Sequence, residues 1–340
     1  MTSRIRYMFI GGGLVLLFVI YTVIWMMAKE RIKEEVTLWI NQQAEIGYTI
    51  EPESIRVSGF PYRFRISAEN IYIALPERDG GWNARIEHAM GDAIVWDRSH
   101  WIFQLGATIT YNSVGENAQS LQINADGIAF SQRRDPDGNT IRIGGELSNM
   151  AINSLSGPAP EISFVERALW SAEIMPDDSL LAQFDIAGLA PNALALEPQV
   201  AMAFGTSIQR VRLNASVQQW TALATQGDTR EWALAGGLVD VTAAELEWGA
   251  ANITGNGVFD LDDRSRLQGN LTVNVTDPDT LADTLVAADL ASAESGQALR
   301  LAAMMAPRGP EGSSLSFRIQ NEIVYLGPIP LGRLGGTPQD

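Results

Sequence analysis

Asn270-Leu271-Thr272-Val273-Asn274-Val275-Thr276 sets an apolar side chain at every second position and a polar one between. A strand points successive side chains to opposite faces, so this period of two makes one face greasy and the other wet. The same alternation recurs at Ile71-Ile73-Leu75, Leu121-Ile123-Ala125, Val211-Leu213-Ala215-Val217 and Leu315-Phe317-Ile319. Gly, Asn, Asp and Pro, the residues of turns, punctuate these runs. From about Gly47 onward the chain therefore predicts a mainly β body, a twisted antiparallel sheet.

Two helical patches interrupt the strands. Val217 to Thr225 is short. Asp279 to Met305 carries Leu281, Leu285, Ala288, Leu299 and Met304 among alanines and reads as two amphipathic helices, broken near Ser295-Gly296 and stopped by Pro307. Both are expected to cover a sheet face or cap its end. Ser154 to Pro160, rich in Gly and Pro, is the candidate boundary between two β lobes, 47–155 and 156–340. An echo between Gly127-Ile128-Ala129-Phe130 with Gly145-Glu146-Leu147-Ser148 and Gly257-Val258-Phe259-Asp260 with Gly269-Asn270-Leu271-Thr272 suggests that the lobes are related.

Upstream of the body the texture is different. Met8 to Ala28 contains no charge, and as a helix rising 1.5 Å per residue it spans roughly the ~30 Å hydrocarbon core of a bilayer. A cleaved signal would have a shorter apolar region and a small-x-small site, which Trp25-Met26-Met27 does not offer. The segment is expected to be an uncleaved transmembrane helix. Arg4 and Arg6 precede it, whereas Lys29, Arg31 and Lys33 beyond it are matched by Glu30, Glu34 and Glu35, so the positive-inside rule places the short N-terminus in the cytoplasm and the body outside, in a bacterium the periplasm. Ile32, Val36, Trp39 and Ile40 then recur at helical spacing and predict a stalk helix, completing a segment of residues 1–46.

Composition narrows the chemistry. The 340 residues carry 24 basic and 40 acidic side chains, a net charge of −16, which disfavours a nucleic-acid partner. With no cysteine there is no disulfide, thiolate metal site or cysteine nucleophile. Asp135-Pro136-Asp137-Gly138-Asn139 with Glu146 imitates the opening of a calcium loop, but Thr140 stands where the sharp turn needs Gly, and the flanks are strand-like; a hairpin turn is expected. Asp177-Asp178 and Asp262-Asp263 lie between strands and read as solvated turns. His88 and His100 stand apart without a third ligand. No catalytic, cofactor-binding or metal residue is assigned, and a non-enzymatic role is expected. Trp96, Trp101, Trp170, Trp220, Trp232 and Trp248 fit either a core or the lining of an acyl-chain groove.

Gly59-Phe60-Pro61-Tyr62-Arg63-Phe64 resembles the GFPxR hallmark of a membrane-anchored bacterial family catalogued as domain of unknown function twenty-one twenty-five. Trp232, Gly236-Gly237, Leu246-Glu247-Trp248-Gly249, Gly255-Asn256-Gly257, Leu261-Asp262 and Gly269 follow that family's spaced tryptophan and glycine pattern, and Gly327 to Gly332 fits its tail. In outline the family is similar to AsmA-like envelope proteins, with an inner-membrane helix followed by periplasmic β-repeats implicated in lipid transport. The resemblance singles out Gly59, Phe60, Pro61, Trp232, Gly236, Gly237, Trp248 and Gly249 as structural or lipid-facing. It implies an inner-membrane protein that binds or passes phospholipid acyl chains, or else a periplasmic scaffold with a closed core that holds another envelope protein. The two part on whether the apolar sheet face is open or roofed.

Overall fold

The computed structural model describes residues 3–76, 80–115, 117–192, 196–226, 229–262, 264–310, 312–327 and 329–333. Helix α1 runs unbroken from Ser3 to Glu45, so the expected anchor and stalk are one rod of 43 residues, roughly 65 Å long. Among the described residues it is the one helix long and apolar enough to cross a membrane. Trp25 and Ile32 are buried, with Ala28 packed between them, a stripe repeating every three or four residues. The intervening Val23, Ile24, Met26 and Met27 are exposed, as suits a helix with lipid on its free side.

The β body divides into two compact units. The first holds the residues up to Ile123 together with Ile128–Gly138 and Ser154–Pro158, and the second holds Asn124–Gly127, Asn139–Asn153 and the chain from Ala159. Strand pairing is antiparallel in both.

In the first unit β1 (Thr49–Glu51) and β2 (Ser54–Ser58) pair with successive parts of β3 (Arg63–Leu75), which pairs on its other side with β4 (Trp82–Ile94). Asn70, in the left-handed region at φ 48°, interrupts the ladder between Glu69 and Ile71. Strand β4 continues to β5 (Asp97–Leu105) and β6 (Thr108–Ser113), and β5 pairs with β8 (Gly127–Arg134); β7 is Ser120–Asn124. The apolar face of β2 and β3 is covered by α1: Val57 and Phe64 form a buried cluster with Trp25 and Ile32.

The second unit is a meander: β9 (Thr140–Ser156), β10 (Ile162–Ile174), β11 (Leu180–Pro191), β12 (Ile208–Val217), β13 (Val239–Trp248), β14 (Ala251–Leu261) and β15 (Leu267–Val275), each paired with the next. Strand β15 then pairs with β17 (Gly312–Gln320), which also holds the two-residue β16 (Arg308–Gly309), and β18 (Ile323–Leu326) and β19 (Ile329–Arg333) complete the run. The echoed stretches lie on β8 and β9 and on β14 and β15.

Helices sit in the connections: α2 (Pro198–Phe204), α3 (Trp220–Gln226), α4 (Thr229–Leu234), α5 (Pro278–Ala287) and α6 (Ala293–Met305). Two expectations need correction. The helix expected from Val217 starts at Trp220, because β12 runs on to Val217, Gln219 turns through φ 56° and Asp178 accepts the Thr221 N–H at 3.1 Å. The break expected at Ser295-Gly296 falls instead at residues 288–292. Ser292 caps α6 by accepting the Ser295 N–H at 3.1 Å, and Gly296 lies inside the helix, where an added Cβ would come 2.6 Å from Val286. That glycine lets α5 and α6 approach.

Candidate functional site

Cross-strand register aligns the apolar positions of the second unit into rows that cross the sheet. Gly145, Trp170, Phe184 and Leu213 stand opposite one another on β9 to β12, and the row continues through Ala244, Gly255, Val273 and Leu315. Eight strands at ~4.8 Å spacing make this uncharged row roughly 34 Å long.

The two ends differ. Near β15 and β17 the face is roofed by α5 and α6: Val275 and Leu315 are 3% and 4% exposed, packed with Leu281, Leu285, Leu299 and Phe204. Across β9 to β12 the same face lies open, with Phe184 46% and Ile143 39% exposed and Trp170 and Leu213 at 37% each. Its relief follows from side-chain size. Ala172, Ala182 and Ala215 form a floor across β10, β11 and β12. Trp170, Phe184 and Leu213 wall it on one side, and Ile174, Leu180 and Val217 on the other. Wall rows four residues apart are separated by roughly 13 Å at the Cα level, a groove wider than one hydrocarbon chain. The Trp170 indole packs against Gly145, where an added Cβ would stand 2.4 Å from its nitrogen.

The opposite face is charged. Asp185 accepts from Arg210 at 2.7 Å and from Arg212 at 3.2 Å, and both guanidinium groups also face Glu245, at 3.7 and 3.4 Å. The Arg210 hydrogen bond, before all else, holds the Asp185 carboxyl below the ordinary carboxylate range. Arg167 with Glu146 and Arg142 with Glu173 extend the ladder toward β9. Leu169, Ser171, Gln183 and Asn214 complete a shallow depression here, but its carboxylate is already committed to two cations and is a poor general base.

The residues singled out by the sequence do not converge. Trp232 is 5% exposed, donates its indole N–H to the Gln218 carbonyl at 2.7 Å, and packs so closely on Gly237 that a Cβ there would lie 2.2 Å from the ring. Gly236 takes φ 81° in the turn leaving α4. At the far end of β13, Trp248 donates to the Gly205 carbonyl at 3.1 Å with its ring 5.2 Å from that of Phe204, and the Gly249 N–H donates to Gln209 at 3.1 Å. These are two separate locks tying connections to the sheet. Gly59, at φ 104° and with no room for a Cβ beside the Arg63 carbonyl, forms the tight β2–β3 turn. That turn lays Phe60 against Phe18, Tyr21 and Trp25 of α1, and Tyr21 donates to the Pro61 carbonyl.

The acidic turns behave as turns. Glu146 pairs with Arg167, and the Gly138 N–H closes on the Asp135 carbonyl at 3.1 Å. Asp177 accepts from Ser179 at 2.7 Å, and Asp262 is wrapped by Arg266; Asp263 lies outside the described residues. His100 faces Arg133 across β5 and β8, and the carbonyl of His88 accepts the Gly106 N–H. Among the described residues no group of three His, Cys, Asp or Glu is placed to hold a metal. Sequence reading reached the open groove only through Trp170 in the aromatic inventory and Leu213, Ala215 and Val217 in one alternating strand; Phe184, Ala172 and Ala182 are named by register, which one strand alone does not carry.

No curated protein and no solved structure matches the chain. A family model does, over residues 25–335, from the lower half of α1 to the last described strand, and its description is that of an uncharacterized protein conserved in bacteria. The chain therefore belongs to the bacterial family DUF2125.

Proposed function

We propose that this is a bacterial inner-membrane protein whose exported β body accepts phospholipid acyl chains on the open groove of β10 to β12, in the manner of AsmA-like envelope proteins. The observation that carries the reading is the half-exposed apolar row Trp170, Phe184 and Leu213, uncharged and continuous with a roofed core. An apolar face this wide left open to water is costly, and such patches mark binding sites. A sixteen-carbon chain leaving a bilayer needs on the order of 12 kcal/mol of matched apolar shelter at ~0.8 kcal/mol per methylene. Only a long apolar surface supplies that; the open stretch from β9 to β12, roughly 14 Å at ~4.8 Å per strand spacing, would shelter part of such a chain.

Replacing Phe184 with the photo-crosslinker p-benzoylphenylalanine in the full chain tests this in cells, with Gln183 on the opposite face as the control. Lipid adducts at 184 and none at 183 are expected. A protein adduct at 184 without lipid would replace this reading with the scaffold.

A further inference from the structure

The first unit ends in two adjacent turns, residues 59–62 and 94–97, joined by the Val95 N–H donating to the Tyr62 carbonyl at 3.2 Å. They carry four large apolar or aromatic side chains with little cover: Tyr62 is 71% and Trp96 72% exposed, with Phe60 at 40% and Ile94 at 44%. No charge falls within 59–62 or 94–96; the first are Arg63, Asp97 and Arg98.

The depth of this tip is fixed by its contacts. The Phe60 ring lies 6.0 Å from those of Phe18 and Tyr21 and 5.4 Å from that of Trp25. These residues stand three to ten positions inside the Ala28 end of the uncharged stretch, roughly 5 to 15 Å along the helix axis. Sliding α1 outward to bring Phe60 to the headgroups would draw Arg4 and Arg6 into hydrocarbon and expose the apolar residues from Tyr21 to Ala28 to water, both costly. The exposed flank of α1 beside the tip, Val23, Ile24, Met26 and Met27, is itself apolar.

We propose that this tip is a second membrane contact, seated in the phospholipid leaflet on the body's side of the bilayer. Phe60 and Ile94 enter the acyl region, Tyr62 and Trp96 lie as interfacial aromatics, and Arg63 and Arg98 reach the phosphates. The sheet thus starts within the leaflet. The proposal rests on α1 spanning the membrane and not on acyl binding by the second unit.

The absence of cysteine makes the test direct. In the full chain reconstituted into vesicles of phosphatidylethanolamine and phosphatidylglycerol, Tyr62→Cys and Trp96→Cys carry a nitroxide, with Ile24→Cys as the lipid-exposed reference. Glu87→Cys is the aqueous reference, on β4 about 23 Å from Ile94 at ~3.3 Å per residue. Circular dichroism checks that each variant is folded. The ratio of collisions with oxygen to collisions with a water-soluble nickel chelate is expected to rise at positions 62 and 96 well above that of position 87, toward that of position 24. A ratio like that of position 87 overturns the proposal. Shielding from both reagents overturns it too, because the tip would then be covered by protein.

Discussion

Trp232 and Asp262 show how much of this chain's polar chemistry is spent on holding turns. The Trp232 indole N–H meets the Gln218 carbonyl at 2.7 Å in a site only 5% exposed, so Trp232→Phe keeps most of the apolar volume and strands that carbonyl. A loss of about 1–3 kcal/mol is expected from chemical denaturation of the detergent-solubilised protein. Asp262 accepts from the Arg266 guanidinium at 2.8 and 2.6 Å and from the backbone N–H groups of Arg264 and Arg266. With the Arg266 hydrogen bond the largest cause, its carboxyl is lowered from 3.8 to about 2. Folded, the group binds its proton only at lower pH than when unfolded. Its stabilisation is therefore whole above a pH of about 4 and is lost as pH falls through about 2. Asp262→Asn should melt below the parent at neutral pH, the gap closing by pH 2; a gap that persists there would mean the charge is not the source.

The α5–α6 pair is where element-scale reading decides whether the apolar face is core or site. Asp277 caps α5 through the Thr280 N–H at 3.0 Å, Ser292 caps α6, and Gly296 lets the pair close over Val275 and Leu315. Gly296→Leu should push the helices apart by collision with Val286, at about 1–3 kcal/mol for an overpacked contact, and should raise binding of an apolar dye such as ANS as the roof lifts. Unchanged dye binding would show that the roof tolerates the insertion. The strands and this helical pair were legible because periods of two and of three to four survive in a single sequence. Helices α2 and α4, of seven and six residues, are too short to show a period. The groove was illegible for a different reason: Ala172, Ala182 and Ala215 become a floor only through the pairing of three strands. Trp232 and Trp248 were legible as motif residues, but their spacing did not reveal that the ten residues of β13 hold them apart.

At the scale of the molecule, the question is whether the open groove serves lipid or merely results from a sheet too wide for its helices. Ala182→Phe separates the two. Ala182 sits in the floor between Phe184 and Leu180, on a face with room above it, so a phenyl ring there fills the groove without entering a packed core. If the exposed face is incidental, added apolar area leaves stability near the parent's and changes nothing else. If acyl chains lie in the groove, the variant keeps its melting temperature but loses the lipid adducts formed when p-benzoylphenylalanine stands at position 184, and an envelope defect of a deletion strain is not rescued. The body must also be outside for this to matter. The proposed orientation, with the body on the outer side, rests on Arg4 and Arg6 before the span against compensated charges after it. An alkaline phosphatase fused after Asp340, which folds only in an oxidising compartment, should therefore be active. Inactivity there would put the groove in the cytoplasm, where no path to the outer envelope exists, and the acyl-chain reading would fall together with the orientation.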